Sequence, residues 1–561
     1  MSAASTRPSW WHLLSLLALS AAYESLFLEH SNGELFDEGW PLKAAGQLHA
    51  GGLLYREAFF TFPPGHVLPA WIATALDPPG IWLSRLFYAG FNVALVAALY
   101  GLGCRLMPRR FAFWGALAVA LAAPHSHLGH LLFGYRYLVF SVLALLTLAR
   151  GIEAAPTGVR PGVASAARCW LWAGLWTGVA LTFRLTPAFS VACGVAAALF
   201  WARPTWGERL RAGGVYALGI ALPLLPVLLW LGASVGLDVV WRETVVRVIG
   251  LQSAQSLPIP SLSLPGGGDR AGLHAWFVAL QYWGAVALYA GYALHFVLRA
   301  VRAGRRRNPA DALLLAVVVW GGVFLLRTLG RSDDHHLNSA LPPLLLLGAH
   351  FGASLFGRYW EGRPARSAKS RGRIENAACA AALVAALFAQ GIDRHFDPFD
   401  RGLVPMRAAG AENPLKPTVE ALEIERLVGI LRERTGPDET ILDVSASPLL
   451  YVLADRRSPG GFDLFMPGTF LDAAEERAFV ERLDGAPPAL VVWPGWPFDN
   501  QRERSLQRTA PLLARWILEH YAPLDARSQS HRFVILAPRE SPGKPLEKPL
   551  RKPLEKPSNG R

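Results

Sequence analysis

Apolar runs long enough to cross a bilayer recur along this chain as far as residue 391, separated by short polar loops. A hydrocarbon core takes about 20 residues of helix to traverse, and hydropathy windows predict about eleven spans. They lie near residues 10–28, 81–104, 111–124, 131–149, 169–183, 186–202, 213–235, 273–299, 310–327, 338–357 and 375–391. The windows at 111–124 and 169–183 are short for a full crossing, so they either continue into their neighbours or sit tilted in a bundle. Residues 66–76 are too short to span and read as an external interfacial helix. After residue 391 the pattern changes to short apolar runs between polar turns, with strands expected at 441–444, 489–493 and 533–536 and a helix over 473–483. The expected fold is a polytopic α-helical membrane domain, 1–391, followed by an extracytoplasmic α/β domain, 392–540. A Lys/Pro-rich tail over 541–561 repeats proline too often for helix and is expected to be disordered.

Charge sets the expected orientation. Arg105, Arg109 and Arg110, then Arg150, Arg160 and Arg168, then Arg203, Arg209 and Arg211, then Arg299, Arg302 and Arg305 to Arg307, and finally the set from Arg358 to Arg373 occupy alternate loops. The positive-inside rule places those loops and the N-terminus in the cytoplasm, and the 29–80 loop and everything past 391 outside. The first span resembles a signal peptide, but it carries Glu24 and lacks a small-residue cleavage site, so it reads as an uncleaved anchor. Composition agrees with a membrane protein: 52% hydrophobic, 17% charged and 20 Trp in 561 residues. The formal charge of +13 belongs to loops beside spans and to the tail, where anionic headgroups account for it, and no nucleic-acid partner is expected. Cys104, Cys169, Cys193 and Cys379 lie in or beside apolar segments and form neither a disulfide framework nor a zinc spacing.

Two adjacent carboxylates, Asp37 and Glu38, stand where the chain leaves the first span, and acids at a membrane edge point to function because they are costly to desolvate. One would accept a proton while the other orients the acceptor or binds metal; a solvated loop or helix cap is the plainer role. Arg327, Arg331, Ser332, Asp333, Asp334, His335 and His336 crowd a second membrane edge. Arginine suits phosphate through paired charge-assisted bonds, and Asp333, Asp334, His335 or His336 suits a divalent cation; mutual pairing at an interface is the alternative. Arg184 and Arg136 interrupt apolar runs, either to meet an anionic headgroup or to snorkel. His125, His127 and His130 lack a frame that would make them a metal site. The segment from Trp241 to Arg247 is apolar on one side and charged on the other, either a guide for substrate at the interface or an inert amphipathic connector.

The order of these features resembles a known family. A first span, the outward Asp37-Glu38 pair, Leu54-Tyr55-Arg56-Glu57, Phe62-Pro63-Pro64-Gly65 and Leu83-Ser84-Arg85-Leu86 look like the GT-C membrane glycosyltransferases, in particular family-39-like protein mannosyltransferases and lipid A aminoarabinose transferases. Gly330-Arg331-Ser332-Asp333 with His336-Leu337, and the cation at Thr182-Phe183-Arg184, are similar to positions in such enzymes. The resemblance implies inverting transfer of a sugar from a polyprenyl-phosphate donor to a glycan, lipid or protein acceptor outside the membrane. It implies Asp37 as general base with Glu38 as helper, and substrate contacts from Tyr55, Arg56, His66, Arg136, Arg184, Arg331, Asp333 and His336. A divalent metal stays open, with Asp333, Asp334 and His335 as ligand candidates, as does a second reading of the whole chain as a transporter or flippase of a lipid-linked or anionic substrate.

Overall fold

The structure is a computed structural model that describes residues 8–30, 35–122, 137–153, 163–203, 205–262, 270–303, 309–361, 368–389, 403–406, 413–525, 528–530 and 532–539. The tail at 541–561 therefore lies outside the described residues, as do Arg136 and the three histidines before it.

Among the described residues each predicted span overlaps a helix. Six of these are long and apolar enough to cross a membrane by length and composition alone: Ile81–Leu106, Leu185–Ala202, Trp206–Ser234, Ala275–Val301, Asp311–Leu329 and His336–Trp360. Of the two short windows, 169–183 extends backward to Val163 and becomes a helix of 21 residues, because Ala164, Ala166 and Ala167 are strong helix formers. The other is Arg109–Ala122, 14 residues long. The segment expected at 66–76 is a 3₁₀ turn, Pro64–His66, followed by the short helix Leu68–Leu76.

The chain forms two compact units. The first, which we call the membrane unit, comprises Met1–Leu28, Arg85–Trp230 and Ser256–Asp400. Within it the helices Val163–Phe183 and Trp206–Ser234 touch backbone to backbone: a Cβ on Gly174 would lie 2.0 Å from the Tyr216 carbonyl oxygen, and one on Gly219 2.2 Å from that of Leu171. Helices in lipid gain little from burying apolar surface, so such close approach through small residues supplies the dispersion contact that holds them. Two polar contacts inside this unit are Asn92 donating to Glu24 at 3.1 Å and the Tyr216 hydroxyl donating to Thr177 at 2.8 Å.

The second, the α/β unit, is not the C-terminal segment alone: Glu29–Ser84 and Leu231–Gln255 fold with Arg401–Arg561. Its strands are β1 (Leu403–Met406), β2 (Asn413–Pro417), β3 (Ile441–Asp443), β4 (Leu490–Pro494), β5 (Tyr521–Pro523) and β6 (Phe533–Pro538). β1 and β2 pair antiparallel, and the other four form a sheet in the order β3-β4-β6-β5. β3 and β4 run parallel, so the chain between them must cross over, which it does through helices Leu449–Ala454 and Ala473–Gly485. The burial of every β3 residue and of Leu490 to Trp493 in β4 explains their unbroken apolar sequence.

Three distant segments meet in this unit through charges taken out of water. Arg247, 1% exposed, pairs with Glu243 and with Glu475 at 2.6 Å, donates to the Thr469 carbonyl, and stacks over the rings of Phe59 and Phe462 at 5.6 and 5.2 Å. Burial alone would lower the guanidinium's pKa, but the two glutamates more than reverse this and hold the charge. The 241–247 stretch is thus corrected from an inert connector to an ion-paired strut, built as helix Leu237–Trp241, a π turn over Arg242–Val246 and helix Arg247–Ala254. One face, with Glu243, Thr244, Arg247 and Leu251, is buried; Trp241, Val246 and Ile249 stand exposed.

Removing one member of a buried charge set leaves the rest uncompensated, at a scale of about 3–5 kcal/mol. Arg247→Ala is therefore expected to lower the melting temperature of the solubilised protein sharply, whereas Arg457→Ala, which breaks an exposed pair with Asp438, shifts it little. Equal shifts from the two would refute the assignment. A second test is by pH. Burial pushes the Asp443 carboxyl up to about 6, against hydrogen bonds from Ser445 and Ser447 that pull it down. An acid whose value rises on folding stabilises the fold fully below its unfolded value and loses that contribution as the pH rises through the folded one. The melting temperature of the wild type relative to Asp443→Asn is thus expected to fall between about pH 4 and about pH 7.

Candidate functional site

The acidic pair sits on a turn over residues 35–38 that feeds directly into the helix Gly39–His49. The Trp40 N–H donates to the Phe36 carbonyl at 3.1 Å and closes the turn. Glu38 occupies the N-cap position but its side chain makes no capping hydrogen bond, so the helix-cap role considered for the pair is not what Glu38 does. Glu38 is 1% exposed and Asp37 half-buried. Both stand at a helix N-terminus, where the partial positive charge of the unpaired N–H groups favours carboxylates.

An aromatic wall follows from the same helix. The Trp40 indole donates to the Phe59 carbonyl at 2.7 Å and its ring meets Phe60 and Phe62 at 5.1 and 5.4 Å. Phe62 in turn stacks on His66 at 4.8 Å, and His66 is wholly buried in the Pro64–His66 turn. Tyr55 holds a left-handed backbone, φ 71°, which a residue with a Cβ adopts only at a cost of order 1–3 kcal/mol. It is held there by its own N–H to the Ala58 carbonyl at 2.9 Å and by its hydroxyl, which donates to the Phe62 carbonyl at 2.7 Å. Tyr55 is buried, so its phenol braces the 53–62 loop. Arg56, beside it, is largely exposed and 3.7 Å from Glu57.

Arg331, Asp333 and His336 come together in the membrane unit. Asp333 caps the helix Asp334–Trp360: its Oδ1 accepts from the His336 N–H and meets His336 Nδ1, each at 2.7 Å, and its Oδ2 accepts from Arg331 Nε at 3.1 Å. The Asp333 carbonyl accepts from the Tyr282 hydroxyl at 2.9 Å, and Leu257 bridges Gly330 and Ser332 through its N–H and carbonyl. Burial would raise the Asp333 carboxyl, yet the contacts with His336 and Arg331 bring it down to about 2. Mutual pairing therefore organises this cluster, and the Arg-Ser-Asp-x-x-His spacing is a capping arrangement that fixes where Arg331 and His336 stand.

Arg184 lies elsewhere in the same unit, at the N-cap of Leu185–Ala202 with extended backbone. It is 6% exposed and so enclosed by protein, unlike a snorkelling side chain. Asp334 and His335 are helical, but their side chains lie outside the described residues. Among the described residues no three His, Cys, Asp or Glu side chains gather as metal ligands, and both oxygens of Asp333 are engaged as acceptors.

Sequence reading missed Lys43 and Asp463. Lys43, 7% exposed, is ion-paired with the fully buried Asp463, donates to Ser458 Oγ at 2.8 Å, and lies 4.9 Å from the centre of the Tyr451 ring. Burial pulls its pKa down and Asp463 pulls it part of the way back. The available signal was a lone lysine set between Pro41-Leu42 and Ala44-Ala45, since a charge flanked by apolar residues on a short helix is a charge that gets buried.

No protein-family model matches this chain, and no curated protein matches it by sequence. Solved structures match by fold. The aminoarabinose transferase ArnT from Cupriavidus metallidurans, bound to undecaprenyl phosphate, is similar over 96% of this chain and 99% of that one, with 14% identity and a TM-score of 0.52. The archaeal oligosaccharyltransferase AglB from Archaeoglobus fulgidus, in complex with an inhibitory peptide and a dolichol-phosphate, is similar over 95% of this chain and 74% of that one, with 13% identity and a TM-score of 0.51. At these identities the likeness is one of fold, and with six apolar helices of spanning length it makes this chain a membrane protein of GT-C-like fold.

Proposed function

We propose that this protein is a membrane glycosyltransferase that moves a sugar from a polyprenyl-phosphate donor to an acceptor hydroxyl on the outer face of the membrane. The observation that carries the reading is the full-length likeness to ArnT, a structure holding undecaprenyl phosphate, together with a carboxylate pair at the head of a helix, Asp37 half-buried and Glu38 buried. In the proposed step Asp37 takes the proton of the acceptor hydroxyl as its oxygen bonds to the anomeric carbon. The bond from that carbon to the phosphate oxygen breaks, and its electron pair leaves with the lipid phosphate. One displacement inverts the anomeric centre and needs no enzyme nucleophile, just as inverting glycosidases use a carboxylate as base.

Glu38 is assigned to orienting the acceptor. Arg184 and Arg331 are assigned to the departing phosphate, whose low basicity makes positive charge more useful than an acid. Capping by Asp333 suits Arg331 to this role by limiting its freedom before substrate arrives. The alternate basic loops support a cytoplasmic N-terminus and an extracytoplasmic α/β unit.

The test is transfer from a panel of radiolabelled polyprenyl-phosphate sugars in membranes holding equal amounts of wild type and Asp37→Asn. Asp37→Asn is expected to lose about a hundredfold or more in rate, the usual worth of a positioned base. Equal rates would remove Asp37 from the chemistry, and movement of lipid-linked sugar across the membrane without transfer would identify a flippase. Arg331→Gln is expected to slow transfer about a hundredfold, roughly 3 kcal/mol, with protein level unchanged; a rate near wild type would return Arg331 to a purely interfacial role.

A further inference from the structure

The acidic turn is gripped on both sides by the C-terminal part of its own unit. Ahead of it, the Leu35 carbonyl accepts from the Leu449 N–H at 3.0 Å. Behind it, a Cβ added to Gly39 would lie 2.1 Å from the Leu449 nitrogen and 2.5 Å from its α-carbon, so the two backbones touch where only glycine fits. One turn further along the same helix Lys43 is tied to the buried Asp463. Leu449 is itself delivered by a braced loop. Asp443, at the end of β3, accepts from the Ser445 and Ser447 N–H groups at 2.9 and 2.7 Å, and its own N–H donates to the Tyr451 hydroxyl at 2.8 Å.

We propose that Leu449 and Asp463, acting through Leu35, Gly39 and Lys43, are positioning residues that set the Asp37–Glu38 turn for the transfer step. The C-terminal segment is then part of the catalytic apparatus, beyond any choice of acceptor it makes. This rests on the reading of Asp37 as base. A catalytic oxygen held by a turn is sensitive to displacements of about 1 Å, which cost on the order of a hundredfold. Gly39 is the pivot of the Asp37-Glu38-Gly39 run: its missing side chain is what lets the sheet's own loop reach the turn.

The experiment compares Gly39→Ala, Asp463→Asn, Asp37→Asn, the double variant Gly39→Ala/Asp37→Asn and the control Asp438→Asn, whose side chain is 88% exposed. Transfer and amide hydrogen exchange over residues 35–40 are measured for each. Gly39→Ala is expected to cut kcat by about a hundredfold while KM for the donor stays within about twofold. The same change placed on Asp37→Asn is expected to add nothing, because it acts through the group already lost. Exchange at residues 35–40 is expected to quicken in Gly39→Ala and Asp463→Asn and to stay unchanged in Asp438→Asn.

If Asp463→Asn folds poorly, Lys43→Met/Asp463→Leu removes both buried charges together and keeps the test open. Wild-type kcat and wild-type exchange in Gly39→Ala, with Asp37→Asn inactive, would overturn the proposal and leave the function standing. No transfer by wild type from any donor would instead sink the reading of Asp37 as base, and exchange at 35–40 would still decide whether the turn is held as proposed.

Discussion

The α/β unit depends on charges buried between segments that are remote in the chain. Arg247 meets Glu475 across 228 residues, and Lys43 meets Ser458 across 415. A buried ion pair is a weak source of net stability, since desolvation offsets most of the attraction, but it is unforgiving of any arrangement that leaves one partner alone. That asymmetry makes these contacts selectors of one arrangement among many compact ones. An apolar patch tolerates sliding, whereas Arg247, with two glutamates and a carbonyl around its planar fork, does not.

The membrane unit meets the opposite requirement by the opposite means. In lipid its helices are already solvated along their apolar faces, so packing relies on close approach, as at Gly174 and Gly219, and on a few satisfied polar contacts. One of its charged clusters gathers where a helix begins. Asp333 holds the first turn of Asp334–Trp360 and at the same time anchors Arg331 and His336, so a single carboxylate caps a helix, fixes a guanidinium through its Nε and orients an imidazole.

Much of this architecture was legible because its period is local. A span announces itself in about 20 residues, and the buried strands β3 and β4 announce themselves as apolar runs bounded by turns. The ends were less so: Val163 starts a helix that hydropathy began at 169, since Ala adds little hydropathy but strongly favours helix. Of the candidate site, the acidic pair was visible from its cost, and the Arg331–Asp333–His336 cluster from its density. What no window reveals is that Glu29–Ser84 folds with residues beyond 401, because that association resides in contacts such as Gly39 on Leu449 and Lys43 on Asp463. Tyr55 and Arg56 are neighbours in one motif and His66 directly follows another, and they hold three different situations: a brace, an exposed cation and a buried ring.

The π turn over Arg242–Val246 carries one residue more than an α-helical turn would. Each residue of an α-helix advances the face by about 100°, so that surplus residue decides which side chains beyond it point inward. With it, Arg247 and Leu251 are buried and Ile249 stands exposed. Excision of any one of the five residues would rotate the following helix by about that angle and present a different set of side chains to Glu475. Length in this stretch is therefore information in its own right, and a homologous chain one residue shorter here would have to hold its C-terminal segment by some other contact.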